Sequence, residues 1–554
     1  MAQHVAAAPA DARARPAGPP TPRHARRAST RSHAPEPTMS VTLRRALLLA
    51  VATLAACSEP KDMAGWAERA GSRNRIDEKL AALAAARTAP GDKAAAVRPL
   101  SELLKQAPRV RAQAAVILGE IGDKAAVQPL VAALDTSAKV ERDVNDANVA
   151  IASALGALRA REAVPALAKL AGSHDAFAQV AAIDALGQAG DPAAVEPLLA
   201  RVDDEQGEPF ATKKALLALG RLGDARAVPA VVRMLFAERG GVSFFPEAAF
   251  AASQIGAPMA APLVALLTGR DGEVSVWAAG RGIHPAALKA KAAQLLGDVG
   301  GPEAVPALLG ALGWSGATPE SQALVRAFAA ESLGRLRSAQ AVEPLAAALA
   351  KERDTRLRDR YADALVRIGS PAALPALRQA AATGPFVDRI GALQALSQLG
   401  GEAERPLFDA AKKLCDDGCA APARAALAGM DARLVAAKAC AGDLTCWTGK
   451  LIDGRAEVRD RAALEVARAG GAAQVEPLVA AVVHPVASDA DLEARYQAVL
   501  ALEALDRRAP LGKMGAEVAS AIDRMAAADK GRTLTATVDE DALRLSGRLR
   551  KGSR

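Results

Sequence analysis

Between Arg111 and Leu134 the chain reads RAQAAVILGEIGDKAAVQPLVAAL. Ala115, Leu118 and Ile121 recur at helical spacing, Gly122-Asp123 interrupts them, and Val127, Leu130, Val131 and Leu134 open a second apolar face at the same period. The pattern predicts a helix, a tight turn and a second helix, neither of which can bury its apolar stripe alone. The same alternation returns at Leu155-Gly156 with Pro165, Leu186-Gly187 with Pro197, and Leu219-Gly220 with Pro229. Such recurrence predicts stacked helical hairpins sharing one elongated core.

Marker prolines stand at 99, 129, 165, 197, 229, 262, 306, 344, 375, 406 and 477, most of them 30 to 38 residues apart. Proline suits the first turn of each second helix, where its missing N–H costs nothing. The 44-residue gap before Pro306 predicts an insertion, and the 71-residue gap before Pro477 a hairpin lacking the proline near Asp431-Ala432-Arg433. The expected organisation is a polar tether over 57–75, an all-α solenoid of about twelve hairpins over 76–529, and a cap and tail over 530–554. In the tail, Thr533–Val538 reads as extended and Asp539–Leu549 as a short helix.

The segments LGEIGDKAAVQPLVAAL, LGQAGDPAAVEPLLARV and LGRLGDARAVPAVVRML resemble HEAT repeats, of the short kind found in phycobilisome-lyase-type proteins. The resemblance covers the whole solenoid. It implies an α-solenoid, an armadillo-like superhelix that acts as a scaffold by presenting its concave face and inserted loops to a protein or peptide. The alternative it leaves open is a lyase-type enzyme or accessory subunit acting on a chromophore or protein substrate.

Composition narrows the choice. Aromatic residues make up only 3% of the chain, and its net charge of +8 is carried mostly by residues 1–56, which hold eight Arg, Asp11 and Glu36, a net of +6. The remaining +2, with no basic block, excludes nucleic acid as the expected partner. Within that basic leader, Met39 opens MSVTLRRALLLAVATLAAC, which has the charged, apolar and small-residue regions of a secretory signal. Leu54-Ala55-Ala56-Cys57 resembles a bacterial lipobox. That likeness implies a signal peptide over 39–56, a lipidated Cys57 anchored in a membrane, and an upstream 1–38 that is a disordered leader or a misplaced start. Ser58 in place of Asp favours the outer membrane over the inner one by the enterobacterial sorting rule.

Four further cysteines, Cys415, Cys419, Cys440 and Cys446, fall within a short stretch. In an exported protein they read as disulfides, most simply 415–419 and 440–446, with crossed pairings and a four-thiolate zinc site as alternatives. Two loops and one connection break the repeat and supply the candidate partner-binding residues. These are Phe244 and Phe245 in AERGGVSFFPEA, Trp277, Arg281 and His284 in residues 270–288, and Trp314. The competing reading is that these rings plug gaps between mismatched repeats. Arg111, Lys289, Arg326, Arg358, Arg389, Arg459 and Arg495 recur seven positions before each Leu-Gly site or its equivalent, and Asp123, Asp191, Asp224 and Asp298 recur near the turns. They are expected to satisfy buried polar groups in ladders rather than to bind a ligand. His174, His284 and His484 are isolated, without H-E-x-x-H or the His-Glu pairs of HEAT-type deoxyhypusine hydroxylase. No catalytic residue, metal or cofactor is therefore expected.

Overall fold

A computed structural model describes residues 59–137, 140–414 and 420–552. Cys57, the segments 1–38 and 39–56, Cys415 and Cys419 lie outside the described residues. From Ile76–Thr88 with Lys93–Leu103 to Asp489–Arg508 with Lys513–Ala528, thirteen helical hairpins follow one another, and a last helix spans Ala536–Gly552. The fold is an all-α solenoid. Its core is continuous from Met63 to Met430, and a second cluster runs from Ala436 to Leu549.

The regular turns are built by three local signals. The first helix ends on a left-handed glycine, as at Gly122 (φ 79°), Gly190 (φ 67°) and Gly223 (φ 65°). An aspartate follows, and its carboxylate accepts the amide two residues on: Asp123 Oδ1 takes Ala125 N–H at 2.9 Å, and Asp191 and Asp224 repeat the bond at 2.8 and 2.9 Å. One 3₁₀ turn then leads into the second helix, with proline early in it. The cationic ladder also finds its partners. Lys289 donates to the Leu267 carbonyl (2.6 Å), Arg326 to Trp314 (2.9 Å), Arg389 to Gly384 (2.8 Å), Arg459 to Asp453 (2.7 Å) and Arg495 to His484 (2.8 Å). Arg111 and Arg358 reach carbonyls at 3.3–3.5 Å. These are the end-of-helix carbonyls that no intrahelical N–H can satisfy.

The glycine of each Leu-Gly pair determines how the hairpins stack. A Cβ placed on Gly119, Gly156, Gly187, Gly220, Gly297 or Gly334 would lie only 2.9–3.1 Å from the Cα of a residue in the next first helix. First helices therefore touch at every step, and each second helix packs mainly against the first helix that follows it. The solenoid curves with its first helices inside.

Several expectations are corrected. The supposed tether contains a helix, Met63–Ser72, capped by Asp62 and burying Met63, Ala67 and Ala70, three positions on one helical face that its glycines obscure. The 71-residue gap does hold a hairpin whose second helix lacks the proline: Asp431-Ala432-Arg433 lie inside its first helix, Ala421–Cys440, and its turn at Ala441-Gly442 is spanned by a Cys440–Cys446 disulfide with Cα atoms 5.2 Å apart. That bond leaves no four-thiolate zinc site. Thr533–Val538 is not an extended segment, because the terminal helix already begins at Ala536. Asp298 belongs to no turn: it stands inside Pro285–Val299, at the position Glu120 holds in its own repeat, and is buried.

The largest departure concerns the concave face. Arg507 Nη2 donates to the carbonyls of Gly297 (2.8 Å) and Asp298 (3.1 Å), Arg544 binds Asp298 Oδ2 (2.9 Å), and Gln254 donates to the Arg544 carbonyl (2.9 Å). The helices Asp489–Arg508 and Ala536–Gly552 thus pack against the inner side of the hairpins between Phe245 and Ile368. The chain's own end fills the concave surface that sequence reasoning left open for a partner.

Candidate functional site

The residues singled out in the inserted loops meet different fates. Glu238–Arg239 pairs with Val242–Ser243 in a minimal antiparallel ladder turned by Gly240-Gly241. The turn directs Arg239 inward, where it donates to the carbonyls of Val202 (3.0 Å) and Asp204 (2.8 Å) and to Thr212 Oγ1 (3.1 Å). Its guanidinium lies 5.2 Å from the Phe244 ring centroid, and Phe244 is fully buried. Phe244 therefore fills a gap and cannot meet a partner. Phe245 is half-buried, its ring 4.5 Å from Lys291 Nζ, and that ammonium also donates to the Leu235 carbonyl at 3.0 Å. Burial lowers the Lys291 pKa. His284 is exposed, but its Nδ1 accepts the Ala286 amide at 3.2 Å and so caps a helix. The half-buried Trp314 lays its ring over Gly316.

Trp277 and Arg281 remain together. The Arg281 guanidinium sits 4.5 Å above the Trp277 ring and 3.7 Å from Glu205. Both line an open groove of about 510 Å³ with Asp203, Glu205, Met234 and Glu238. The groove lies on the edge made by connections from each second helix to the next first helix. Phe177 and Phe210, the second residues of two successive first helices, belong to this edge and are 78% and 60% exposed. Sequence reasoning missed both. Their signal was a bulky ring where neighbouring hairpins place small or polar residues at the helix start.

Residues 140–212 and 316–397 match the family described as HEAT repeats, and residues 110–136 match PBS lyase HEAT-like repeat. No curated protein sequence matches the chain. Among solved structures, human deoxyhypusine hydroxylase is similar at 22% identity over 54% of this chain and 94% of its own, with a TM-score of 0.20. The CpcE–CpcF complex of phycocyanin lyase from Nostoc shares 20% identity over 52% of this chain and 94% of its own (TM-score 0.24). The karyopherin Kap121p shares 12% over 91% and 67% (TM-score 0.42).

The interior of the solenoid is heavily charged where its end meets its middle. Arg335 Nη2 stands 2.5 Å from Asp298 Oδ1, a close ion pair whose N–H is not aligned as a hydrogen bond, with Asp541 at 3.5 Å and Glu503 at 3.8 Å. Burial alone would raise the Glu503 carboxyl, but Arg507, Arg548 and Arg335 outweigh it and hold it at about 2. Tyr496, packed 4.6 Å from the Arg367 guanidinium, is pushed up to about 12 by burial. Asp460, also buried, is held well above the usual carboxylate range by desolvation and by Glu493. Among the described residues no three His, Cys, Asp or Glu side chains gather as metal ligands.

Proposed function

We propose that the chain is an exported HEAT-repeat scaffold, held on a membrane by lipid on Cys57, that captures a protein or peptide along the edge carrying Phe177, Phe210 and the Trp277–Arg281 groove. The carrying observation is the exposure of two phenylalanine rings on one edge of a chain that has nine in all. Apolar surface of this kind marks interaction sites, because covering it gains about 25 cal/mol per Å². With the middle of the concave face occupied by the chain's own C-terminal helices, the edge is the surface left for recognition. The fitting partner offers apolar side chains flanked by charge, since Asp203, Glu205 and Glu238 line the groove together with Arg233, Arg239 and Arg281. The chain acts by binding rather than catalysis, and its place is the cell envelope, with the outer membrane favoured by Ser58.

Crosslinking capture from intact envelopes tests this, using the wild type beside a Phe177→Ser, Phe210→Ser, Trp277→Ala variant of unchanged helical circular dichroism. One dominant envelope partner, lost from the variant, is the expected result. Equal capture by the variant would refute the edge, and an unlipidated Cys57 by mass spectrometry would refute the anchor.

A further inference from the structure

Where the Asp489–Arg508 helix meets the middle hairpins, a half-open cavity of about 430 Å³ is lined by Arg335, Arg337, Arg461, Arg468, Arg507 and Arg508, with Glu465 as its one carboxylate. Glu465 is already engaged by Arg461 and by Arg468 (2.7 Å). Arg335 is drawn to Asp298, Arg507 to Glu503 and two carbonyls, and Arg508 to the carbonyls of Gly470 (2.8 Å) and Ala467. Helix ends thus explain part of this cationic lining. They do not explain Arg337. Its Nη2 is buried without a hydrogen-bond partner, and the same holds for Nε of Arg335 and of Arg461 on the same walls.

Arg337 also occupies a position that argues against a purely structural role. It stands four residues after the Leu of its Leu-Gly pair, where Gly122, Gly190, Gly223, Gly300 and Gly369 stand in other hairpins, and it keeps their left-handed conformation at φ 49°. A residue with a Cβ is strained there relative to glycine. Burial, together with Arg367 and Arg508, lowers its pKa to about 10 against the opposing pull of Asp460 and Glu503, so the nearby carboxylates leave this guanidinium under-compensated.

We propose that this cavity binds a small, free, phosphate-bearing anion, gripped by Arg337 and Arg461 between the middle of the solenoid and its C-terminal helices. Guanidinium forks match the oxygens of phosphate, and the cavity falls in the size range of small-molecule sites. A bound anion bridges both arms and holds the superhelix closed.

The test is calorimetric titration of the full-length protein with inorganic pyrophosphate, comparing wild type, Arg337→Gly and Arg159→Gly. Both substitutions restore glycine at a left-handed position, since Arg159 has φ 50°, so neither is expected to unfold the chain; only the first alters this cavity. The expected result is binding that weakens with salt, drops about tenfold or more in Arg337→Gly, and is unchanged in Arg159→Gly. Binding no tighter than about 1 mM by the wild type, or equal binding by wild type and Arg337→Gly, would overturn the proposal.

Discussion

Replacing Asp298 with Ala removes the carboxylate on which the closure of the solenoid converges. Its side chain is 0% exposed, and it faces Arg335 and Arg544, whose side chains are 6% and 11% exposed. Breaking a buried ion pair costs about 3–5 kcal/mol, most of it from the charge left without a partner. Here the loss is cushioned, because Arg335 keeps Asp541 at 3.5 Å and Arg544 keeps it at 2.9 Å. The expected destabilisation is accordingly about 2–3 kcal/mol. Hairpin stacks unfold piecewise, so the effect belongs to the docked end and not to a global melting point. Native-state hydrogen exchange reads it: amides of Ala536–Gly552 should exchange roughly 30- to 150-fold faster, while the first hairpins keep their rates. Combined with Arg544→Ala, the substitution should show a coupling of at least about 1 kcal/mol. Unchanged exchange in Ala536–Gly552, or additivity within about 0.5 kcal/mol, would refute the claim that this pair joins the two arms.

Acid should loosen the same junction. Glu503 has a depressed folded-state pKa of about 2, so its contribution is present above the ordinary carboxylate range and is lost as pH falls through that range toward the folded value; protection factors at Asp489–Arg508, taken relative to intrinsic exchange at each pH, should fall from about pH 4.5 downward. Gly187→Ala should cost about 1–3 kcal/mol, because the new Cβ meets Ala218 Cβ at 2.8 Å and Cα at 2.9 Å, whereas Gly449→Ala, with nothing within 4 Å, should stabilise its helix by about 0.5–1 kcal/mol. Urea unfolding of the two variants separates these signs. Reducing Cys440–Cys446 opens a loop of sequence separation 6 and should cost about 2 kcal/mol; mass-mapped thiol labelling should find these two sulfurs only after reductant.

The hairpins were legible in the amino-acid sequence because each is encoded within its own stretch. Apolar period, left-handed glycine, capping aspartate and early proline all act over a few residues, and the ladder cations reach carbonyls of their own or adjoining segments. Where one of these marks is missing, as between Pro406 and Pro477, the spacing alone still marks a hairpin, but its helix bounds are decided only by packing. Phe244 and His284 were singled out as rare residue types, yet only packing decided that one fills a gap and the other caps a helix. The Arg337 site had a visible trace, arginine in LGRLR where other hairpins read LGxxG, but its meaning depends on which walls surround it.

The closure of the superhelix was beyond local reading. It joins Asp298 to Arg544 across 246 residues. Its partners are charged side chains that a surface helix would leave in water. Whether Arg507 faces solvent or the end of the Pro285–Val299 helix depends on the small rotation between successive hairpins. Helix contacts at each Leu-Gly pair determine that rotation, and it accumulates over many repeats. Local sequence determines the hairpin; only the accumulated rotation brings the chain's end back onto its own middle and makes a cationic cavity between them.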